Sequence, residues 1–199
     1  MNLSESHISL ENTSAYLRLA VILFHLGLCY RSMADLRPGM SRSYWQDALL
    51  WFRKCLDVFE KVDRKDLVAK FSIPACEICQ RLAAWNELKH LADKSLNLHQ
   101  EYGSKVQLAQ DYGFLASVAI ANSNWLQAYE LINIALFHGE NATNLSRQHE
   151  SRYLLLLGRT QRHLGEWQEA VNNLEWAKVV CELQYEPSLY LEIIYQLRS

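Results

Sequence analysis

Tryptophan recurs along the chain at a nearly constant interval. The residues Trp45, Trp85, Trp125 and Trp167 are spaced by 40, 40 and 42 residues. A fixed interval of this length is typical of a repeat array, in which each repeat buries its apolar face against its neighbours. Such an array predicts an extended binding surface and no deep catalytic cleft.

The residues that follow each tryptophan share one pattern. Small or apolar side chains stand three, seven and ten positions later, and steps of three and four keep them on one face of a helix. Because the small members let a second helix approach closely, each repeat is predicted to be a pair of antiparallel helices with the tryptophan buried between them. The twelve positions are Ala48, Phe52 and Cys55; Leu88, Ala92 and Ser95; Ala128, Ile132 and Ala135; and Ala170, Leu174 and Ala177.

Composition limits both the fold class and the partners. The 199 residues are 50% hydrophobic with only 7 Gly and 3 Pro, which favours an all-α chain folded as one compact unit. A net charge of -2 provides no basic field for nucleic acid or acidic membranes. The chain lacks a secretory signal pattern and an uninterrupted apolar run of about 20 residues, so a cytoplasmic protein without a membrane span is predicted.

Turn-forming residues divide the chain into helix pairs. The predicted pairs cover about 15–62, 66–102, 105–138 and 146–184, with an insertion in the first connection and a polar turn at 139–144. Residues 1–14 are polar and Ser-rich and are predicted to form a flexible arm. A final helix at 187–199 is apolar enough to need a partner, so we expect it either to dock on the fourth repeat or to join another chain.

The fourth repeat resembles the tetratricopeptide repeat. Its matching residues are Leu154-x2-Leu157-Gly158 and Leu164-Gly165-x-Trp167-x2-Ala170-x3-Leu174-x2-Ala177. The first repeat adds Leu26-Gly27 and Tyr30, while Gln161 replaces that tyrosine in the fourth. The period exceeds the usual ~34 residues, so the chain looks like a long-helix variant. Over about residues 15–186 the resemblance implies an all-α, right-handed superhelical stack of about four helix pairs, with a concave groove for a protein or peptide.

The resemblance also implies which residues line that groove. They are spaced three, four and three along the first helix of each pair, and the predicted groove changes from apolar to basic along the chain. The positions are Val21, Phe24, Leu28 and Arg31; Lys70, Ile73, Glu77 and Gln80; Gln110, Gly113, Ser117 and Ile120; and Arg152, Leu155, Arg159 and Arg162, with His163 adjacent.

The basic end of this groove suggests an anionic partner. Three arginines on one helical stripe repel one another, and planar guanidinium groups bind carboxylates in a bidentate manner. We therefore expect an acidic segment or a C-terminal carboxylate as the ligand. In an alternative interpretation, Glu150, Glu166, Glu192 or solvent neutralises the arginines, and the N-terminal arm covers the apolar end of the groove.

Two motifs suggest chemistry but have simpler explanations. Cys76 and Cys79 form a CxxC motif that could share a metal or form a disulfide, yet no second CxxC occurs and both positions fall in the predicted core. Glu87 and His90 form half of a di-metal motif whose second half is missing. No metal, cofactor or catalytic residue is therefore predicted.

The sequence as a whole predicts a non-catalytic interaction module that acts as a scaffold, an adaptor or a sensor domain. One alternative is a regulatory subunit that binds an enzyme or a small ligand and biases its conformation. Another is a redox or metal enzyme that uses Cys76 and Cys79.

Overall fold

The computed structural model describes residues 3–140, 147–182 and 187–198. Over these residues the chain is almost entirely helical and has no strand, which confirms the predicted all-α stack of helix pairs. The chain divides into two units, Met1–Gly103 and Ser104–Ser199. The expectation of one compact unit is wrong, because each pair of a repeat array contacts mainly its neighbours and composition does not fix where such an array divides.

The first unit begins with an unusually long helix. Its described elements are α1 at Leu3–Leu36, a 3-10 turn at Pro38–Met40, α2 at Ser41–Lys61, α3 at Lys65–Arg81 and α4 at Trp85–Tyr102. The 3-10 turn occupies the longer first connection. Since α1 begins at Leu3, most of the segment predicted as a flexible arm is helical; no Gly or Pro interrupts the sequence before Gly27.

The second unit continues the alternation of helices. Its described elements are α5 at Lys105–Ala121, α6 at Trp125–Glu140, α7 at Arg147–Leu164, α8 at Trp167–Glu182 and α9 at Pro187–Arg198. Ser104 and Gln107 form a capping box that satisfies backbone N–H groups at the start of α5. The predicted bounds at 146 and 184, and most of the predicted turn at 139–144, lie outside the described residues.

The face predicted from the tryptophan register is the core of every helix pair. All twelve positions three, seven and ten residues after a tryptophan are at most 2% exposed. They lie on α2, α4, α6 and α8, the second helices of the four pairs. The repeat pattern therefore gave the buried face of these helices correctly.

The first and second helices of a pair have complementary side-chain sizes. A Cβ atom added to Gly27 on α1 would lie 2.5 Å from the Phe52 ring, and one added to Gly158 on α7 would lie 2.6 Å from Leu174. In the other two pairs, Cys76 and Ala116 stand at the glycine position. The residues at the Phe52 position there are Ala92 and Ile132, and all four of these side chains are completely buried.

The tight turns repeat one backbone feature. Ala83, Ser123 and Gly165 each stand two residues before a tryptophan and have φ values of 55°, 57° and 85°. These values lie in the left-handed region, where Gly carries no steric penalty and residues with a Cβ do. The backbone conformation of these turns therefore repeats at the same interval as the tryptophans.

The prediction that the four tryptophans are buried is wrong. Trp45, Trp85 and Trp125 are half-buried and Trp167 is 64% exposed. These residues lie in the first turns of second helices, and the rings of Trp45 and Trp125 each contact the end of the following first helix. The rings of Trp125 and His163 stack with centroids 3.8 Å apart, and the Arg81 guanidinium lies 5.6 Å from the Trp45 ring.

The final helix docks on the fourth pair, which is the first of the two arrangements expected for it. Leu189 and Ile193 are buried in a cluster with residues of α7 and α8. Leu191 and Tyr195, on the opposite side of α9, are 68% and 67% exposed. Helix α9 therefore packs as the first helix of a further pair would.

Helix α1 is long and apolar enough to cross a membrane, by length and composition only. The uninterrupted apolar run within it is shorter than the roughly 20 residues of a membrane span. Within the 25 residues of Asn12–Leu36, an 18-residue window has a mean hydropathy of 1.4. Small and weakly polar residues extend it beyond the apolar run. Ala20, Leu23 and Gly27 are buried within the first unit, so one face of this segment belongs to a protein core.

Size matching between paired helices predicts a strong coupling between Gly27 and Phe52. We expect Gly27→Cys to lower the free energy of unfolding by about 1–3 kcal/mol through overpacking, and Phe52→Ala to lower it by about 3–5 kcal/mol. The double variant recreates the cysteine–alanine pairing of the second repeat. Its free energy of unfolding should therefore fall by less than the sum of the two single losses, with a difference of about 0.5–3 kcal/mol. Urea unfolding measures all four proteins, and simple additivity would contradict the size-matching argument.

Docking of α9 predicts a contrast between two apolar residues of the same helix. We expect Ile193→Ala to lower the free energy of unfolding of the second unit by about 2–5 kcal/mol, because it leaves a cavity against α7 and α8. Leu191→Ala should change it by less than about 0.5 kcal/mol, because that side chain is exposed. Equal losses in urea unfolding would show that α9 is not docked in this orientation.

Candidate functional site

In the first unit, two of the predicted groove residues pair with each other. The Arg31 guanidinium lies 3.1 Å from the Glu77 carboxylate, and each side chain is about one third exposed. Lys70 is exposed, with its Nζ atom 5.7 Å from the Phe71 ring, and Gln80 is half-buried. The ion pair joins α1 to α3 and stabilises the fold only weakly, because solvent screens it.

Phe24, predicted to form the apolar end of the groove, belongs to an aromatic cluster. Its ring lies edge-on to Phe71 at 4.7 Å and is tilted against Phe52 at 5.5 Å. Leu28, one turn further along α1, is half-buried. Packing between three helices therefore explains Phe24 better than ligand binding does.

Ser117, predicted to line the groove in the third repeat, is not available to a ligand. Its side chain is buried, and its hydroxyl donates a hydrogen bond to the Gly113 carbonyl 2.9 Å away within α5. The burial of this side chain and its bond to the helix backbone are explained by packing without a ligand.

Two arginines of the basic stripe contact α9. Arg159 forms an ion pair with Glu192 at 3.4 Å, and Arg162 donates a hydrogen bond to the Gln196 carbonyl at 3.4 Å. His163 stacks on Trp125, and partial burial followed by the charges of Arg162 and Arg159 lowers its pKa. The alternative interpretation, neutralisation by Glu192, thus describes Arg159 correctly.

The remaining arginine of the stripe lies in a polar group that we call the inner cluster. It consists of Gln110 and Asp111 on α5 and His149, Arg152 and Tyr153 on α7. The Gln110 amide donates a hydrogen bond to His149 Nε2 at 2.9 Å, which assigns the imidazole proton to Nδ1. Arg152 stands one turn after His149 and is half-buried.

The inner cluster has unusual electrostatics for a helix contact. Burial, and then the charge of Arg152, lowers the pKa of His149, so the imidazole stays neutral at pH 7. Burial raises the pKa of Tyr153, whose hydroxyl has no hydrogen-bond partner among the described residues. Asp111 is completely buried. A guanidinium beside a neutral imidazole and an amide forms a surface rich in hydrogen-bond donors, which suits a carboxylate.

Three members of the inner cluster were not predicted to be functional. These three are Asp111, His149 and Tyr153. The predicted residues Gln110 and Arg152 are brought together through His149, which lies 39 residues from Gln110 in sequence. The position of His149 three residues before Arg152 was the available signal, because that spacing places both on one helical face.

The cysteines proposed for redox or metal chemistry lie in the core. Cys76 and Cys79 are completely buried, and burial, followed by the nearby Glu87 carboxylate, raises the pKa of Cys79 to about 12. The thiolate is the reactive and metal-binding form, and this environment disfavours it. The motif is therefore better explained by packing.

A buried serine and histidine pair on α4 also has a structural explanation. His99 Nε2 donates to the Ala69 carbonyl at 2.8 Å, so Nδ1 accepts from Ser95 at 3.2 Å. Ser95 also contacts Ser72 of α3 at 2.8 Å. All three side chains are at most 4% exposed, so this chain of hydrogen bonds joins α3 to α4 and is closed to a substrate.

Comparison with known proteins supports the fold and leaves the function open. No protein family profile and no curated protein sequence matches the chain. Among solved structures, the chain is similar to BtubC (BKLC) from P. vanneervenii, with a TM-score of 0.62 and 18% sequence identity. The match covers 81% of this chain and 66% of that protein. At this identity the likeness shows a helical, repeat-like fold and nothing about activity.

The lowered pKa of His149 predicts a specific pH dependence of stability. The unfolded chain, with an ordinary histidine pKa of about 6.5, binds a proton more readily than the folded chain does. Stability should therefore be fully present above about pH 6.5 and be lost as the pH falls towards the lower folded pKa. Replacing His149 by Gln keeps a polar side chain near Gln110 and removes this titration.

Urea unfolding at several pH values checks this prediction. Between about pH 7 and 5 the stability of the wild-type protein should fall more steeply than that of His149→Gln, by at most about 1.4 kcal/mol per pH unit. The exposed His90 of α4 provides the control, and His90→Gln should follow the wild-type curve. Parallel curves for wild type and His149→Gln would contradict the assigned burial.

Proposed function

We propose that the chain is a cytoplasmic, non-catalytic interaction module of the tetratricopeptide type, and that the inner cluster binds an acidic segment or a C-terminal carboxylate. The observation that carries this proposal is the difference among the groove arginines. Arg31 and Arg159 pair with Glu77 and Glu192 inside their units, whereas Arg152 has no carboxylate partner among the described residues.

The position of Arg152 supports a binding role on physical grounds. A half-buried guanidinium interacts with an anion more strongly than an exposed one does, because less water screens the charge. It donates through a planar fork that fits a carboxylate, and hydrogen bonds to charged groups are stronger than neutral ones. Gln110 and His149 orient each other beside it and give the ligand further polar contacts.

The potentially reactive side chains of the chain also agree with a binding module, because they are buried. The buried thiols of the CxxC motif and the closed hydrogen-bond chain of Ser72, Ser95 and His99 both favour structural roles. The inner cluster has a donor surface, but its one buried carboxylate, Asp111, is closed to solvent. Binding of an anion, with no change to it, is the simplest use of such a surface.

A defined series of peptides tests the proposal. Fluorescein-labelled peptides of equal length should carry increasing numbers of Asp and Glu residues, each with a free or an amidated C-terminus. We expect anisotropy titrations to show tighter binding as acidic residues or the free carboxylate are added. Because screening acts over about 8 Å at physiological ionic strength, added salt should weaken the binding.

Charge reversal at Arg152 identifies the site. Arg152→Glu should weaken binding of the best peptide by about tenfold or more, because a charge-assisted contact contributes roughly 1.5–3 kcal/mol. Arg42→Glu, the same change at an exposed position of α2, is the matched control and should bind like the wild type. Equal affinity of all three proteins, or no binding of any peptide to the wild type, would exclude this function, provided that the melting curves agree.

A further inference from the structure

The inner edge of α7 is reduced to two accessible side chains. From Ser151 to Gln161 every residue is buried except Arg152 and Arg159. The two arginines stand seven positions apart, so they lie on one face of the helix within about 20° of each other. We call them the arginine pair. Any segment that rests on this face of α7 meets these two guanidinium groups and no other accessible side chain of the stretch.

The arginine pair is held at a fixed spacing. The helical rise of about 1.5 Å per residue separates the two Cα atoms by about 10.5 Å along the axis of α7. Leu155, between them, belongs to a buried cluster with residues of α8 and α9, and Leu156 belongs to one with residues of α5 and α6. Because neighbouring helices pack against α7 on both sides, this distance is a property of the packed backbone and not of a mobile loop.

The chain itself neutralises the arginine pair only weakly. Among the described residues, Glu192 is the one carboxylate that pairs with either arginine, and it lies 3.4 Å from Arg159. Its side chain is 49% exposed and that of Arg159 is 31% exposed. A pair this open to water contributes little to stability, so Glu192 can turn into solvent and leave Arg159 to another anion. Both arginines are therefore open to carboxylates from outside the chain.

We propose that the partner of this site is an acidic helix that lies along α7 and places one carboxylate at Arg152 and a second, seven residues away in its own sequence, at Arg159. The inference rests on the proposed function and adds the conformation of the ligand and the spacing of its charges. Residues seven apart on a helix share a face and are themselves about 10.5 Å apart, so both charged contacts form together. Once the first carboxylate is bound, the second binds as part of the same molecule, and the affinity rises.

Extended ligands match this spacing less well. On one face of a β-strand, side chains recur about every 6.8 Å, so the available distances are about 6.8 and 13.6 Å. A polyproline II segment places same-face residues about 9.3 Å apart and comes closer, but it brings no side chain to the space between the arginines. In a helical ligand, the residues three and four positions after the first carboxylate occupy that space, where Leu155 and Leu156 are buried and do not protrude. The helix therefore buries more surface for the same two charges.

Helical peptides of one composition separate spacing from charge. Alanine-rich peptides of about 20 residues form helices on their own, and acetylated and amidated ends remove the terminal charges. One peptide carries two Glu residues seven apart, and a second carries the same two residues five apart, on opposite sides of the helix. We expect anisotropy titrations of the fluorescein-labelled peptides to show about tenfold tighter binding of the first, the factor that one further charged contact supplies.

Variants of the site assign the second contact. Arg159→Gln should remove the advantage of the seven-residue spacing, so that the two peptides bind equally through Arg152. Glu192→Gln removes a competitor for Arg159 and should tighten binding of the first peptide more than that of the second. Arg42→Gln, at an exposed position of α2, is the matched control and should leave both affinities at the wild-type values. Melting curves that agree with that of the wild type show that each variant is folded.

Three results would overturn this inference alone. Equal binding of the two helical peptides to the wild-type protein would show that spacing is not recognised, while the proposed function requires only that acidic peptides bind. A spacing advantage that survives Arg159→Gln would place the second contact away from the arginine pair. Tighter binding of a proline-rich peptide with two Glu residues three apart than of either helical peptide would show an extended ligand. If no acidic peptide of any kind binds, the proposed function fails together with this inference.

Discussion

The close contact between the two helices of each pair is the constraint on which the rest of the structure depends. Gly27 and Gly158 give up a side chain where Phe52 and Leu174 bring a large one, and a single added Cβ would overlap them. Protein interiors are packed too tightly to absorb such an overlap without a shift. The distance between paired helices is therefore set by a few positions, and those positions repeat with the tryptophans.

This constraint also explains the CxxC motif of Cys76 and Cys79. Cys76 stands where α1 and α7 have glycine, and it faces a position held by Ala92 and not by a large side chain. A thiol of moderate volume fits there, and its complete burial follows from the fit. The pair of cysteines three residues apart is then a consequence of helical periodicity, since both positions face the core.

Periodicity within a single helix predicted which of its side chains are buried. Contacts between residues far apart in the sequence were not predicted. The face with Ala128, Ile132 and Ala135 followed from one helix alone. The burial of Trp125 did not, because its ring packs on His163 of the next helix, 38 residues later. Arg159 and Arg162 both contact α9 through Glu192 and the Gln196 carbonyl, and these contacts depend on where α9 docks.

The inner cluster shows how stability and binding are linked through one imidazole. His149 is neutral because it is partly buried and stands beside Arg152, so protonation costs stability while it adds positive charge at the donor surface. A carboxylate bound at Arg152 would cancel part of that charge and raise the pKa of His149. Since linkage is reciprocal, binding that raises this pKa must itself become tighter as the pH falls through the titration of His149. The contacts of Gln110 and Tyr153 limit how far the imidazole can move in response, so the effect on affinity would be electrostatic and would weaken with added salt.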